Sequence, residues 1–430
     1  MTIEEGVRLA KLQQYDEALA ILDERYAIEE ERFGVWDLYF YGKCLRKAKD
    51  YTRAVKLNRL VYIRMPEHEQ NRNAYAWNLY DLYVKPSDKR HIDESKMLST
   101  ASFIIKITEQ GTYSPYERTV FTVLKHLKSK DKPHWEALLD WHSKLNPDLL
   151  DREVRTVTDE DGVERELASY LEEWHYYHII CLFGLGDWEA CIKAADEALG
   201  AIRLFHYNYD MWIRIKKALS VYKLGNPASA ALQLEQIGIE SGLWQSYYEL
   251  FKLYQLIGDR EKALTSAAVA LLSRNGETKH KMKLLLEFGA MLEQMSQKQE
   301  ALKHYSLVCD IRKQNGWPPN ERLNNHIAAL EGETGLLNAG NPRELERYWN
   351  TLRLNKQDKR TGTVQKLVSE GKSGFIVVDE SEDTVYFRAR DVKGKGSKIP
   401  VGQRVSFYMT DAYDRKKQRL TKQAIEIRLI

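Results

Sequence analysis

The chain has no run of about 18 apolar residues, so no membrane-spanning helix is expected. It lacks a GxxxxGK[ST] loop to cradle phosphates, a convincing dinucleotide loop and an HExxH metal pair. Cysteine is scarce: Cys44, Cys181, Cys191 and Cys309 are scattered and form no CxxC pair. Each sits in a helical apolar pattern, so reduced core thiols are expected rather than a disulfide framework. The opening stretch MTIEEGVRLAKLQQYDEAL carries charge throughout, unlike a signal peptide's apolar core. A cytoplasmic protein is expected. Ser, His and Asp all occur, but their spacing assembles no triad. The expectation is a protein that is not an enzyme, with no cofactor and no metal.

What is present is a long, charged, aromatic-rich chain. Its 430 residues exceed one ordinary core and suggest two or three domains. The net charge of +3 is uneven. From Thr351 to Ile430 there are 18 Lys or Arg against 10 Asp or Glu, or +8, which leaves −5 for the rest. Only the basic tail suits a polyanion.

The body repeats. Tyr51 follows Tyr15 by 36 residues, and Ala54 follows Ala18 by 36. GLGDWEACI, KLGNPASAA, LIGDREKAL and QMSQKQEAL recur later, with Gly186, Gly225 and Gly258 spaced by 39 and 33 residues. A period in the thirties with helical patterning on both sides predicts stacked helix hairpins. Ala18, Ala54, Ala190 and Ala263 are small enough for paired helices to approach closely. The turn residues tolerate tight or left-handed backbone. Stacking gives each hairpin an apolar face to bury and builds a solenoid with an extended inner surface.

WDLYFYGKCLRKAKDYTRAVKLNRLVYIRMP carries the pattern most fully, with Tyr41, Gly42, Tyr51, Ala54 and Pro66 at signature places. From about residue 3 to about 340 the chain resembles a tetratricopeptide-repeat (TPR) protein, with about eight helix pairs expected. The resemblance implies a partner protein or peptide held on the array. Region 67–148 is degenerate, and Asp161-Gly162 in DREVRTVTDEDGVEREL predicts a hairpin or exposed loop. The expected divisions are a TPR-like lobe at 1–150, this insertion at 151–166, a second lobe at 167–342, a linker at 343–360 and a barrel at 361–430.

Aromatic residues mark candidate recognition surfaces: Tyr207, Tyr209 and Trp212 in one stretch, Trp244 and Tyr247 in another. Core packing explains the same residues. His175 and His178 are three apart on one helix face, but no compact third metal ligand follows in sequence. GLLNAGNP at 335–342 reads as a helix end and turn.

After the repeats, periodicity changes to alternation. TGTVQKLV, SGFIVVD, TVYFRA, QRVSFYMTD and QRLTKQAIEIRL are five strand candidates, enough for a small OB-type barrel. Gly362-x-Val364, Gly374-Phe375-Ile376, VYFRARDV and GQRVSFYM resemble the cold-shock domain over about residues 361–428. Ser373 and Ala389 stand where that family has Phe, and Arg388 where it has His. The fold class expected is therefore mostly α: a TPR-like helical-hairpin solenoid followed by a small five-stranded, OB/cold-shock-like β-barrel.

The resemblance implies single-strand binding by base stacking, with Phe375 and Tyr386 as platforms. Lys366, Lys372, Arg388 and Arg390 fall near the same face, and Arg415, Lys416 and Lys417 crowd the loop between the fourth and fifth strands. Lys393, Lys395 and Lys398 crowd the preceding loop. Such cations hold phosphates without selecting bases. Two functions follow. One is an adaptor that holds a protein on the array and RNA or single-stranded DNA weakly on the barrel. The other is a pure protein-interaction scaffold whose barrel docks on protein and buries Phe375.

Overall fold

A computed structural model describes residues 1–85, 93–158, 161–336, 341–355, 357–381, 383–394, 399–414 and 416–430. The chain divides into two compact units, Met1–Ile213 and Arg214–Ile430. Eighteen α-helices and seven strands occur among the described residues. The first unit holds α1 (Ile3–Lys11), α2 (Tyr15–Glu29), α3 (Val35–Lys47), α4 (Tyr51–Arg64), α5 (Glu69–Leu79), α6 (Glu94–Ile107), α7 (Tyr116–Lys128) and α8 (Trp135–His142). A hairpin of β1 (Arg155–Thr158) and β2 (Glu164–Leu167) follows, then α9 (Tyr170–Leu185) and α10 (Trp188–Ala201). α11 (Tyr209–Lys223) contains the division between the units.

One turn recurs at six helix pairs. The amides of Gln14, Asp50, Asp187, Asn226, Asp259 and Gln297 donate to carbonyls five residues earlier, at Leu9, Leu45, Leu182, Val221, Tyr254 and Leu292, over 2.9–3.1 Å. The preceding residue is left-handed each time: Gln13, Lys49, Gly186, Gly225, Gly258 and Ser296, at φ 62–89°. This pairing satisfies a carbonyl that the helix end would otherwise leave orphaned. The next residue starts the following helix. Asp50, Asp187, Asn226 and Asp259 cap it by accepting from the amides of Arg53, Ala190, Ser229 and Lys262. Gln14 and Gln297 make no such side-chain bond.

Four residues past each of these positions lies a small side chain: Ala18, Ala54, Cys191, Ala230, Ala263 and Ala301, all 0% exposed. Close helix packing is the reason, since a bulky group there would push the partner helix away. The expectation of Ala190 at the close approach is thus one residue off; Ala190 is half-buried and Cys191 takes the inner place. Cys44 and Cys181 are buried too, while Cys309 is partly exposed beside Asn324.

β1 and β2 pair antiparallel from Arg155↔Leu167 to Thr158↔Glu164, and Gly162 is left-handed at φ 79°. The hairpin lies inside the first unit. The two compact units part further along the chain, at Ile213/Arg214.

The second unit continues with α12 (Pro227–Ser241), α13 (Trp244–Leu256), α14 (Arg260–Leu272), α15 (Met282–Gln294), α16 (Lys298–Gln314), α17 (Glu321–Thr334) and α18 (Pro342–Leu354). The segment expected as a linker is largely α18, which packs against α14 and α16. Leu345 and Trp349 are buried there, so their apolar burial holds the segment as a helix. Gly335 ends α17 in left-handed conformation, as a helix end at that position requires.

β3 (Arg360–Val368), β4 (Ser373–Val378), β5 (Thr384–Arg388), β6 (Arg404–Asp414) and β7 (Arg419–Leu429) close the chain. Their hydrogen-bonded order is β3-β4-β5-β7-β6, closed by β6 on β3. Among these strand pairings, β5–β7 alone is parallel. Val364, Ile376, Val378, Val385, Phe387, Val405, Phe407 and Ile427 fill the interior. Closure leaves no long unpaired sheet edge among the described residues.

Candidate nucleic-acid interface

The outer surface of β3, β4 and β5 is set by register. Ile376 and Val378 alternate inward and are buried, which turns Phe375 outward. Phe375 lies opposite Tyr386 across the β4–β5 pair, and Tyr386 lies opposite Gln423 across β5–β7. A register shift between Val364 and Lys366 puts Lys366 opposite Phe375. The Lys366 ammonium is 5.1 Å from the Phe375 ring centre. The Phe375 and Tyr386 rings are 5.6 Å apart at 67°, edge to face. Both are half-buried, so each offers only part of its surface.

Gly374 makes this approach possible. A Cβ there would lie 2.6 Å from the Lys366 carbonyl oxygen and 2.6 Å from the Phe387 ring. No flexible side chain can yield to relieve the backbone contact, so only glycine fits.

Beside Tyr386 is an open depression lined by Ser369, Lys372, Ser373, Tyr386, Arg388, Ala389 and Arg390. It gathers four of the residues singled out in sequence: Lys372, Tyr386, Arg388 and Arg390. Arg388 and Arg390 are exposed, and neither makes an ion pair among the described residues. Among the described residues Lys372 reaches Glu370, at 4.0 Å. Sequence reasoning does not mark Ser369, Ser373 or Ala389 as lining residues. The available signal is the small side chain of Ser373 and of Ala389 beside Tyr386 and the cations.

Other expected contacts lie elsewhere. Lys416 and Lys417 are exposed at the β6–β7 turn, where their amides donate to the Asp414 carboxylate, and neither lines the depression. Arg415, Lys395 and Lys398 lie outside the described residues. Lys393 is engaged with Glu426 at 3.0 Å.

The barrel meets the helices through a different side. β6 lies against α12, and the Arg353 guanidinium on α18 donates to the Glu426 carboxylate on β7 at 3.2 Å. Burial pushes the Tyr247 phenol up to about 12, with the Asp411 and Glu235 carboxylates adding to the shift. Tyr247 also packs on Gly238, where a Cβ would come within 3.0 Å of its ring. Tyr247 is thus half-buried in helix packing near β6. Trp244 is half-buried and stacked on Tyr248 at 6.0 Å and 27°.

In the first unit, Tyr207 is 51% exposed and its hydroxyl donates to the Glu166 carbonyl at 3.1 Å. Tyr209 stacks on Tyr176 at 4.5 Å, and burial first of all raises its phenol above the usual range. Trp212 is half-buried in α11. Of these three, Tyr207 alone is exposed. The His178 ring stacks between aromatic neighbours, 5.0 Å from His142 and 5.3 Å from Trp174. Among the described residues no group of three or more His, Cys, Asp or Glu side chains could hold a metal. No described helix is long and apolar enough to cross a membrane.

No protein-family model matches the chain, and no curated protein matches it. Several solved structures are similar to it. The human IFIT1 dimer with m7Gppp-AAAA is 13% identical, with 80% of this chain and 79% of that chain covered and a TM-score of 0.36. The TPR2AB domain of yeast Sti1 in a pHSP90 complex is 13% identical, covering 70% and 96%, with a TM-score of 0.26. A thermophilic TPR protein of Thermus thermophilus is 13% identical, covering 67% and 96%, with a TM-score of 0.20. The helical part has a TPR-like repeat fold. The turn that recurs at six helix pairs carries this fold.

Proposed function

We propose that this chain is a non-enzymatic adaptor whose barrel is an OB-type, cold-shock-like module for single-stranded nucleic acid. The helical array serves as a binding surface for a protein or peptide. The observation that carries the reading is the pairing of two outward aromatic rings with cations that make no ion pair among the described residues. Phe375 and Tyr386 supply stacking surface, Lys366 stands over Phe375, and Arg388 and Arg390 lie beside Tyr386. Stacking on an aromatic ring is worth roughly 1–3 kcal/mol per base and tolerates any base. Two half-buried platforms therefore support weak binding with a steep salt dependence, since cations on phosphates release counterions.

The strand order β3-β4-β5-β7-β6, with one parallel pairing, favours the OB-type reading. The rival scaffold reading expects Phe375 to be covered by protein. Its ring neighbours are Tyr386 and Lys366, while the helices of the same unit engage β6 and Glu426. That separation favours a strand-binding face left free for a ligand.

The test is fluorescence anisotropy of short single-stranded RNA and DNA with the intact protein at two salt concentrations. Salt-sensitive binding should appear, and should fall by about tenfold or more in Phe375→Ala/Tyr386→Ala if each ring contributes about 1 kcal/mol or more. Absence of binding at both salt concentrations would falsify the reading.

A further inference from the structure

We infer that the depression beside Tyr386 receives a terminal phosphate, so that the barrel holds the phosphorylated end of a single strand. This rests on the reading of the β3–β5 face as a nucleic-acid surface and names the group bound at its edge.

The depression combines small residues with concentrated positive charge. Ser373, 5% exposed, and Ala389 contribute little bulk, while Lys372, Arg388 and Arg390 supply three cations. Four other cations on the barrel strands and loops are paired. Arg360 meets Glu380, Arg404 meets Asp379, Lys422 meets Asp411 and Lys393 meets Glu426. No carboxylate lines the depression among the described residues. Glu370, in the turn beside it, has a 90% exposed side chain and stands 4.0 Å from the Lys372 ammonium, and the Asp391 carboxylate next to Arg390 is engaged by the Gln423 amide. Among the described residues, Arg388 and Arg390 thus stand together without a carboxylate partner at one spot.

The frame is held by backbone bonds. The Lys372 amide donates to the Ser369 carbonyl at 3.0 Å, and the Ala389 amide donates to the Lys372 carbonyl at 2.9 Å. Ser369, Glu370 and Gly371 are successively left-handed, at φ 53°, 57° and 83°. Two of these are non-glycine residues in a conformation that costs energy, and the ties to β5 keep them there. Lys372 therefore projects from a preset turn, while Arg388 and Arg390 project from the end of β5 and the short helix after it.

The chemistry selects a monoester. A phosphodiester inside a strand carries one negative charge. A terminal phosphate carries nearly two and offers three acceptor oxygens. Three cations and the Ser369 hydroxyl match the second group better. Arginine forks can bind its oxygens two at a time. A base next to that end would then lie toward Tyr386 and Phe375.

The experiment compares one internally labelled RNA strand with a 5′-hydroxyl end, a 5′-phosphate or a 3′-phosphate, each bound to the intact protein at low salt. One phosphorylated form should bind about tenfold or more tightly than the hydroxyl form, because charge-assisted bidentate bonds are strong. Inorganic phosphate should erase the difference. Arg388→Gln/Arg390→Gln should erase it too. Both arginines are exposed, and circular dichroism would check that this variant folds. Phe375→Ala, outside the depression, should weaken all three strands yet keep the preference.

Equal affinity for the three ends, or a preference unchanged in the arginine variant, overturns the inference. If equal binding still depends on Phe375 and Tyr386, the nucleic-acid reading stands and the end receptor alone falls. If no strand binds, both fall. A phosphoserine peptide that displaces the strands and binds as tightly as they do would overturn the assignment to a nucleic-acid end.

Discussion

Acid should loosen the seat of α18 through one histidine. His304 is fully buried on α16. Its Nδ1–H donates to the Glu300 carbonyl at 2.7 Å, and its Nε2 accepts from the Trp349 indole N–H at 2.8 Å. The Phe288 ring stands edge-on at 5.0 Å. Protonating Nε2 would set two donors against each other and put a cation in an apolar site. Burial is the main cause that lowers the His304 pKa to about 4; the nearby Lys303 lowers it further, and the bond to Glu300 partly opposes both. The unfolded chain, with an ordinary value of about 6.5, binds the proton first. Stability is therefore fully present above about pH 6.5 and is lost as pH falls toward 4, at up to about 1.4 kcal/mol per unit. Between about pH 7.5 and about pH 5 the loss from this residue comes to about 2 kcal/mol. Hydrogen exchange of α16 and α18 peptides, corrected for intrinsic rates, reads that loss as a roughly 30-fold fall in protection. His304→Phe should start weaker, because Trp349 loses its acceptor, but should lack this pH dependence. Equal pH slopes in the two proteins would refute the reasoning.

Three further outcomes follow from local geometry. Lys49→Gly and Ser296→Gly should each raise stability by about 0.5–1 kcal/mol in urea unfolding: the left-handed backbone costs a non-glycine residue roughly 1–2 kcal/mol, and the added unfolded-chain entropy offsets part of the gain. Gln297→Asp should add about 1 kcal/mol by supplying the cap that Asp50, Asp187 and Asp259 already provide, read in the same urea titration. Gly374→Ala should cost the barrel about 2–3 kcal/mol, since its Cβ meets the Lys366 carbonyl and the Phe387 ring; limited proteolysis should then cleave residues 361–430 faster, and protection equal to that of the parent would count against the packing argument.

The hairpin turns and strands are readable because their signals are local. Gly186, Gly225 and Gly258 announce left-handed turns, and Ile376 and Val378 announce an inward strand face. The equivalent turns at Gln13, Lys49 and Ser296 carry no such signal. There the stacked helices impose the geometry against residue preference. α18 reads as a linker in sequence because PRELERYWNTLRL is rich in charge, and only packing on α14 and α16 reveals what Leu345 and Trp349 serve. Tyr247 illustrates a deeper limit. Helical spacing says that a ring shares a face with its neighbours, but it does not say that β6 will lie nearby. On the barrel, the stacking pair Phe375 and Tyr386 follows from alternation. The depression beside it does not, because it depends on which cations find carboxylates, and those partners come from distant strands.

The attachment of the barrel bears directly on how its free face works. α18 is fixed at its middle by Trp349 on His304, and one turn later Arg353 reaches Glu426 on β7. Glu426 also holds Lys393 and is itself left-handed at φ 51°. One carboxylate thus joins the helical end, the strand and the loop that follows β5. The Arg353 side chain is mostly shielded, so this pair is less screened than a surface ion pair, and removing the acid would leave two cations repelling each other. The attachment draws on β6 and β7, while Phe375 and Tyr386 lie on β4 and β5. Packing of the barrel on the helices and the proposed ligand binding would therefore not compete for the same side chains. A strand held on the outer face would stay at fixed distance from whatever α12–α18 hold, which raises the effective concentration of one ligand near the other without any new contact.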